Sequence, residues 1–151
     1  MARKDLVQLE TAFRKILKSI TIAWSKQVDS TINRSQFYVL ERLAKCPHNI
    51  STLAEALHIT SGAVTGISDK LVDEGYASRR RAENDRRVVF LEITDKGHEI
   101  LAQLSNQRKE LYENFFGGLT DTDVKALTRI FEQILDSQDA ANNEVEPKVK
   151  A

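Results

Sequence analysis

The sequence predicts a mainly α protein with one small β-hairpin. Three observations carry that expectation. Apolar residues recur at three- and four-residue steps near both ends of the chain, a pair of short helices lies at its centre, and the helical period gives way to β-forming residues after Gly75. At 151 residues the chain suits one domain with appended helices and is long enough to bury a core. The expected plan is a single domain over 1–151, with a compact core at about 33–94, long helices at about 5–28 and 95–138, and a polar tail at 139–151.

Over 6–24, the positions Leu6, Leu9, Phe13, Ile16, Leu17, Ile20 and Trp24 form one apolar stripe with Arg14, Lys15 and Lys18 opposite, which defines a long amphipathic helix. Asn33, with Gln36 three residues on, fits a reciprocal N-cap that opens a second helix through Phe37, Leu40 and Leu43, stopping near Cys46-Pro47. Two short helices follow, one over 51–57 and one over about 61–74, where Gly75 supplies a C-terminal cap. Residues 76–81 read as an extended piece, 82–87 as a polar turn containing Asn84-Asp85, and 88–93 as a run of β-formers, so together they make a hairpin. Thr94-Asp95 cap a third long helix carrying Ile100, Leu101, Leu104, Leu111 and Phe115, which Gly117-Gly118 break. Thr120 with Asp123 opens a last helix whose stripe holds Val124, Leu127, Ile130, Phe131, Ile134 and Leu135. From about Gln138 the chain is polar, includes Pro147, and is expected to fray.

Within 50–71, ISTLAEALHITSGAVTGISDKL, Ala54 is the small residue that lets two helices cross. Leu53, Leu57, Ile59, Val64 and Ile67 lie at the offsets that clamp a steeply crossed pair, the helix-turn-helix arrangement. The turn position often held by glycine is His58. With Val64, Ile67 and Leu71 turned inward, the second helix shows Ser61, Gly62, Thr65, Gly66 and Asp69 outward. That small, polar face suits close approach to the floor of a DNA major groove, with Ser and Thr able to bond phosphates or base edges. The plainer alternative is a surface helix of an α domain, its two glycines tolerated at about 1 kcal/mol each.

Five arginines fall within the nine residues 79–87 of a chain that holds 22 Lys+Arg against 22 Asp+Glu. Such a concentration of one sign suits an anionic partner. A hairpin after the second helix makes the pair a winged helix, with Arg86 and Arg87 at or just beyond its tip, where a narrow minor groove focuses negative potential. Asp85 beside them has no use in a purely electrostatic patch. It is expected to accept from Arg79 or Arg81 across the hairpin and to hold the tip in shape. A charged turn with weak exposed ion pairs is the alternative.

Composition narrows the class. A content of 41% hydrophobic and 29% charged residues is that of an ordinary soluble protein, and no apolar run approaches the roughly 18–20 residues needed to span a bilayer. The opening MARKDLVQLE turns amphipathic at once and lacks the core and cleavage site of a signal peptide, so a cytoplasmic protein without a membrane partner is expected. Cys46, the single cysteine, is expected to be buried and inert in a reducing compartment. His48, His58 and His98 have no metal-ligand spacing to one another or to Cys46. With neither a phosphate-cradling glycine loop nor a nucleophile elbow, no metal, no cofactor and no catalysis is expected.

The stretch SGAVTGISDKLVDEGYASRRRAENDRRVVFLEITDKG runs from helix through a Gly-aromatic turn and an Asp-Arg-Arg wing to a Leu/Ile-Thr-x-x-Gly lead into the next helix. It resembles the core signature of the MarR (multiple antibiotic resistance regulator) family. With Ser35-Gln36-Phe37-x-x-Leu40 in the second helix, the resemblance covers almost the whole chain. It implies a winged helix-turn-helix core flanked by dimerisation helices, and a homodimeric, sequence-specific binder of double-stranded DNA, a repressor released by a small molecule. The matching wing position implies Arg87 in the minor groove, with Arg86 bound by the wing's acidic residue or by phosphate. The matching recognition positions imply Ser61, Gly62, Thr65 and Asp69 near the DNA and Lys70 at a phosphate.

The end helices carry more apolar surface than a small winged core needs, which implies a partner; the family's answer is an intertwined homodimer. Phe13, Leu17, Val124, Leu127, Phe131 and Ile134 are the interface candidates, and a two-fold protein reads a pseudo-palindrome with half-sites about one helical turn apart. Folding back of these helices within one chain is the alternative. Ligands of the family are small, aromatic or anionic, and bind between the dimer helices and the winged core. Trp24, Tyr38, Arg42 and His48 are candidates there, although a core aromatic more often packs than binds. Cys46 ends the second helix rather than lying in the first, where the peroxide-sensing branch carries its reactive cysteine, so thiol sensing is not expected. The rival to DNA binding is a winged-helix module for protein–protein assembly.

Overall fold

The structure is a computed structural model that describes residues 2–27 and 32–145. It divides into two compact units, with the boundary between Leu111 and Tyr112. The first unit contains helices α1 (Ala2–Gln27), α2 (Arg34–Lys45), α3 (Ile50–Leu57) and α4 (Ser61–Asp73), then most of α5 (Asp95–Phe116). Its strands β1 (His48–Asn49), β2 (Ala77–Arg81) and β3 (Val89–Ile93) form one antiparallel sheet in the order β1-β3-β2.

Local hydrogen bonding sets where each helix of the recognition region begins and ends. Asn33 Oδ1 accepts from the Gln36 backbone N–H (2.9 Å) while Gln36 Oε1 accepts from the Asn33 N–H (2.8 Å), the reciprocal cap the sequence predicts. Asn49 Oδ1 caps α3 through the Thr52 N–H at 2.8 Å, and Thr60 Oγ1 caps α4 through the Ala63 N–H at 3.1 Å. Helix α4 closes with Tyr76 N–H on the Leu71 carbonyl (2.8 Å) and Gly75 N–H on the Val72 carbonyl (3.0 Å), with Gly75 at φ +81°. That paired pattern needs a left-handed residue after the helix, which glycine supplies without a steric cost.

At the turn between α3 and α4, His58 takes the left-handed conformation itself (φ 54°, ψ 42°), and its N–H bonds back to Ala54 and Glu55. A β-carbon is disfavoured there. Replacement of His58 by glycine is therefore expected to stabilise the fold by about 0.5–1 kcal/mol, after allowance for the greater freedom of the unfolded glycine chain. A thermal melt checks this, with Tm rising by about 2–4 °C per kcal/mol; a lower Tm would show that the imidazole contributes more than the strain removed.

The core of this unit gathers Ile20 and Trp24 of α1, Phe37, Val39, Leu40 and Leu43 of α2, Leu53 and Ala54 of α3, Val64 and Leu71 of α4, Leu91 of β3, and Leu104 and Leu111 of α5. Ala54 is buried where α3 meets α4, as a close helix crossing requires. Leu6, Leu9, Phe13, Ile16 and Leu17 of α1 are exposed.

The structure corrects four expectations here. Ile59 is exposed and outside the buried core, because it lies in the turn between α3 and α4 rather than on either helix. Cys46 is exposed rather than buried, since α2 has already ended at Lys45 and the thiol lies beyond the packed face. The hairpin gains a third strand, because His48 and Asn49 pair with Leu91 and Phe90. The polar segment after Gln138 continues as helix to Val145; Pro147 lies outside the described residues.

The second unit comprises the end of α5, the Gly117-Gly118 turn and helix α6 (Asp121–Val145). Thr120 Oγ1 caps α6 by accepting from the Asp123 N–H at 3.2 Å. Tyr112 and Phe116 stack with ring centroids 6.0 Å apart. Along α6, Val124, Ile130, Phe131, Ile134 and Leu135 are exposed and Leu127 is half-buried. Among the described residues no helix is long and apolar enough to cross a membrane.

Candidate nucleic-acid interface

Helix α4 buries Val64, Ser68 and Leu71 on one face and leaves Ser61, Gly62, Thr65, Gly66, Asp69 and Lys70 exposed on the other. This is the division expected from a 3.6-residue period. A β-carbon at Gly66 would meet nothing within 4 Å, and one at Gly62 only the Thr60 hydroxyl at 4.0 Å, so the chain's own packing demands glycine at neither position. The Thr65 hydroxyl donates to the Ser61 carbonyl at 2.9 Å. Its proton is thus committed inside the helix, so the hydroxyl can meet an outside partner only as an acceptor.

The hairpin explains the arginine run. Strands β2 and β3 pair in the register Ala77↔Ile93 to Arg81↔Val89, and the loop closes with Ala82 N–H on the Val88 carbonyl (2.9 Å) and Val88 N–H on the Asp85 carbonyl (3.0 Å). Asp85 Oδ1 accepts from the Arg87 backbone N–H (3.0 Å) and from Arg87 Nε (3.2 Å). The carboxylate therefore builds a turn with the residue two positions on. Asp85 was expected to bond Arg79 or Arg81, and neither does so; the local turn is the shorter reach. Arg81 Nη1 instead donates to the Arg86 carbonyl at 3.3 Å, steadying the tip through its backbone. Arg79 turns the other way and pairs with Asp69 of α4. Arg80, on the opposite face of the strand, pairs with Glu92 at 2.6 Å and lies over the Phe90 ring.

The Arg86 guanidinium has no partner among the described residues, so it is not bound by Asp85. Arg87, though tethered through Nε, keeps its side chain 92% exposed, which leaves both terminal nitrogens free to meet an anion. Each ion pair in the hairpin is solvent-exposed and so stabilises the fold by at most about 1 kcal/mol; what the pairs supply is orientation.

The four ligand-site candidates do not come together. Tyr38 and Arg42 line an open cavity of about 550 Å³ with Lys45, Leu57, Leu101 and Ser105. Trp24 is buried against Phe37, ring centroids 5.5 Å apart, and His48 sits on β1 with its Nδ1 3.8 Å from Cys46 Sγ, so neither lines the cavity. The spacing 38, 41, 42, 45 on one face of α2 is the signal that could have found Glu41 and Lys45.

The MarR family model matches residues 32–89, which span the helix pair and most of the wing. The HTH-type transcriptional regulator YpoP of Bacillus subtilis (strain 168) is 25% identical over 130 residues, 85% of this chain and 92% of that protein. The transcriptional repressor MprA of Escherichia coli (strain K12) is 32% identical over 111 residues, 72% of this chain and 63% of that protein. A solved structure of a MarR transcriptional regulator from Methanosarcina mazei Go1 superposes with a TM-score of 0.75 at 27% identity, covering 88% of this chain and 97% of that one. With the winged helix-turn-helix in place and its relatives transcription regulators rather than enzymes, the chain belongs to the MarR family.

Proposed function

We propose that the chain is a homodimeric repressor that reads a pseudo-palindromic operator, with α4 in the major groove and the wing tip in the adjacent minor groove. The observation that carries this reading is the wing tip itself: two arginines with free terminal nitrogens, held at the end of a closed hairpin next to an exposed small-residue helix face. On this reading Ser61, Gly62, Thr65, Asp69 and Lys70 face the DNA, Arg87 enters the minor groove and Arg86 reaches a phosphate. Homodimerisation is supported by the exposed apolar faces on Phe13 and Leu17 of α1 and on Val124, Phe131 and Ile134 of α6. Release by a small aromatic or anionic compound is supported by the cavity beside Tyr38, whose lining includes the cations Arg42 and Lys45.

Fluorescence anisotropy on duplexes from the gene's own upstream region, against a scrambled duplex at several salt concentrations, tests the reading. The expected result is tight binding to one fragment, a steep salt slope and two chains per duplex at saturation. Arg87→Ala is expected to weaken that complex by roughly 1–3 kcal/mol and to flatten the salt slope by about one. Equal affinity for the wild type and this variant would remove the wing assignment. The same complex then serves as the assay for release by small aromatic or anionic compounds.

A further inference from the structure

Asp69 poses an electrostatic problem. It lies in line with Ser61 and Thr65 on the exposed face of α4, so it brings a carboxylate to the surface that meets a polyanion. Its one partner among the described residues is Arg79, whose Nη2 donates to Asp69 Oδ1. A guanidinium carries five N–H donors in a rigid fork, and the others on Arg79 have no partner among the described residues. The Arg79 side chain is 44% exposed, so the fork is open to solvent while one arm is held.

The position on the strand gives that open fork a target. A protein with one helix in a major groove and its wing in the neighbouring minor groove must cross the sugar-phosphate strand between them. On that reading strand β2 spans the crossing: three residues separate it from the end of α4 and it runs to the wing tip, with Arg79 at its midpoint. Because side chains alternate across a strand, Arg79 shares a face with Arg81 and not with Arg80, which is occupied by Glu92. The same device recurs at the tip, where Asp85 tethers Arg87.

We propose that Arg79 is a phosphate contact and that Asp69 is the positioning residue that presents it. This rests on the DNA-binding reading above. Holding one arm of the fork removes rotamer freedom before the phosphate arrives, so less is lost on binding. The consequence has an unusual sign: removing the negative charge at Asp69 weakens DNA binding instead of strengthening it.

Anisotropy with Asp69→Asn, Arg79→Gln and the double variant tests this on the upstream duplex and on versions of it changed at single base pairs. Arg79→Gln is expected to lower affinity on the order of tenfold for all sequences alike and to flatten the salt slope by about one. Asp69→Asn is expected to weaken binding to all sequences, less than Arg79→Gln, and to add nothing in the Arg79→Gln background. Asp69→Glu, which keeps a carboxylate, is expected to retain more affinity than Asp69→Asn. Both side chains are about half exposed, so the variants should melt with the wild type. The proposal is overturned if Asp69→Asn tightens binding, acts at one base pair only, or is additive with Arg79→Gln, or if the salt slope of Arg79→Gln is unchanged. A wild type with no salt-dependent binding to any duplex would overturn the DNA reading itself, and this proposal with it.

Discussion

Phe37→Ala is expected to remove about 3–5 kcal/mol of stability, a large share of the roughly 5–15 kcal/mol that holds a domain together. The ring is 2% exposed and joins three helices. Trp24 of α1 lies with its ring centroid 5.5 Å away at 59°, and Arg108 of α5 stacks its guanidinium 4.9 Å from the ring centroid while pairing with Glu41 of α2 at 2.5 Å. Aromatic pairs in that tilted range contribute beyond the area they bury, and the cation over the ring adds a smaller contribution at its partly exposed site. Alanine would leave a cavity whose walls belong to three different elements, so no single side chain can collapse into it. Urea unfolding followed by fluorescence of Trp24, the only tryptophan, reports from the site directly. The expected outcome is a midpoint shifted down with m unchanged, and Phe37→Leu losing markedly less. A loss below about 1 kcal/mol would mean that the helices repack around the gap.

Where the determinants are local, the sequence was enough. Asn33 with Gln36, Gly75 after α4 and Thr120 before α6 all act within a few residues of themselves, and each sits where the chain predicts. The inward and outward faces of α4 follow from one period, so its exposed face was readable as well. Determinants that act at a distance were not. Strand β1 is two residues long and has no period of its own; it exists because residues 48 and 49 meet 91 and 90. In the wing, the sequence shows that arginines and carboxylates are present but not which pairs with which. Asp85 could reach Arg79 or Arg81 on paper, yet the two-residue step to Arg87 closes first, and Arg79 is left for Asp69 ten residues upstream. Trp24 and His48 failed as cavity residues for the same reason: an aromatic or a histidine is assigned by its neighbours in space.

At the root of the wing, Gly97→Ala is expected to cost about 3 kcal/mol, the upper part of the range for overpacking, because the obstacle is backbone. A β-carbon there would overlap the carbonyl oxygen of Tyr76 and come within 2.7 Å of Ile93 Cγ1. The Tyr76 carbonyl also accepts from the Thr94 N–H (3.1 Å), while the Thr94 hydroxyl donates to the Gly75 carbonyl (2.6 Å) and accepts from the Gly97 N–H (3.1 Å). The Thr-x-x-Gly motif thus docks the first turn of α5 onto the C-terminal cap of α4. To admit a methyl group, either the Tyr76 carbonyl shifts and loosens the bond it accepts from the Thr94 N–H, or α5 withdraws and breaks the Gly97 N–H bond to the Thr94 hydroxyl. Both routes disturb the junction from which β2 leaves for the wing tip, so DNA affinity should fall even at temperatures where the variant stays folded. Gly66→Ala is the contrasting substitution: with nothing within 4 Å of its β-carbon, it is expected to stabilise α4 by about 1 kcal/mol. Opposite signs for one chemical change, read by urea unfolding, would separate a glycine required by close backbone approach from one that the fold itself does not need; equal effects would remove the docking role assigned to Gly97.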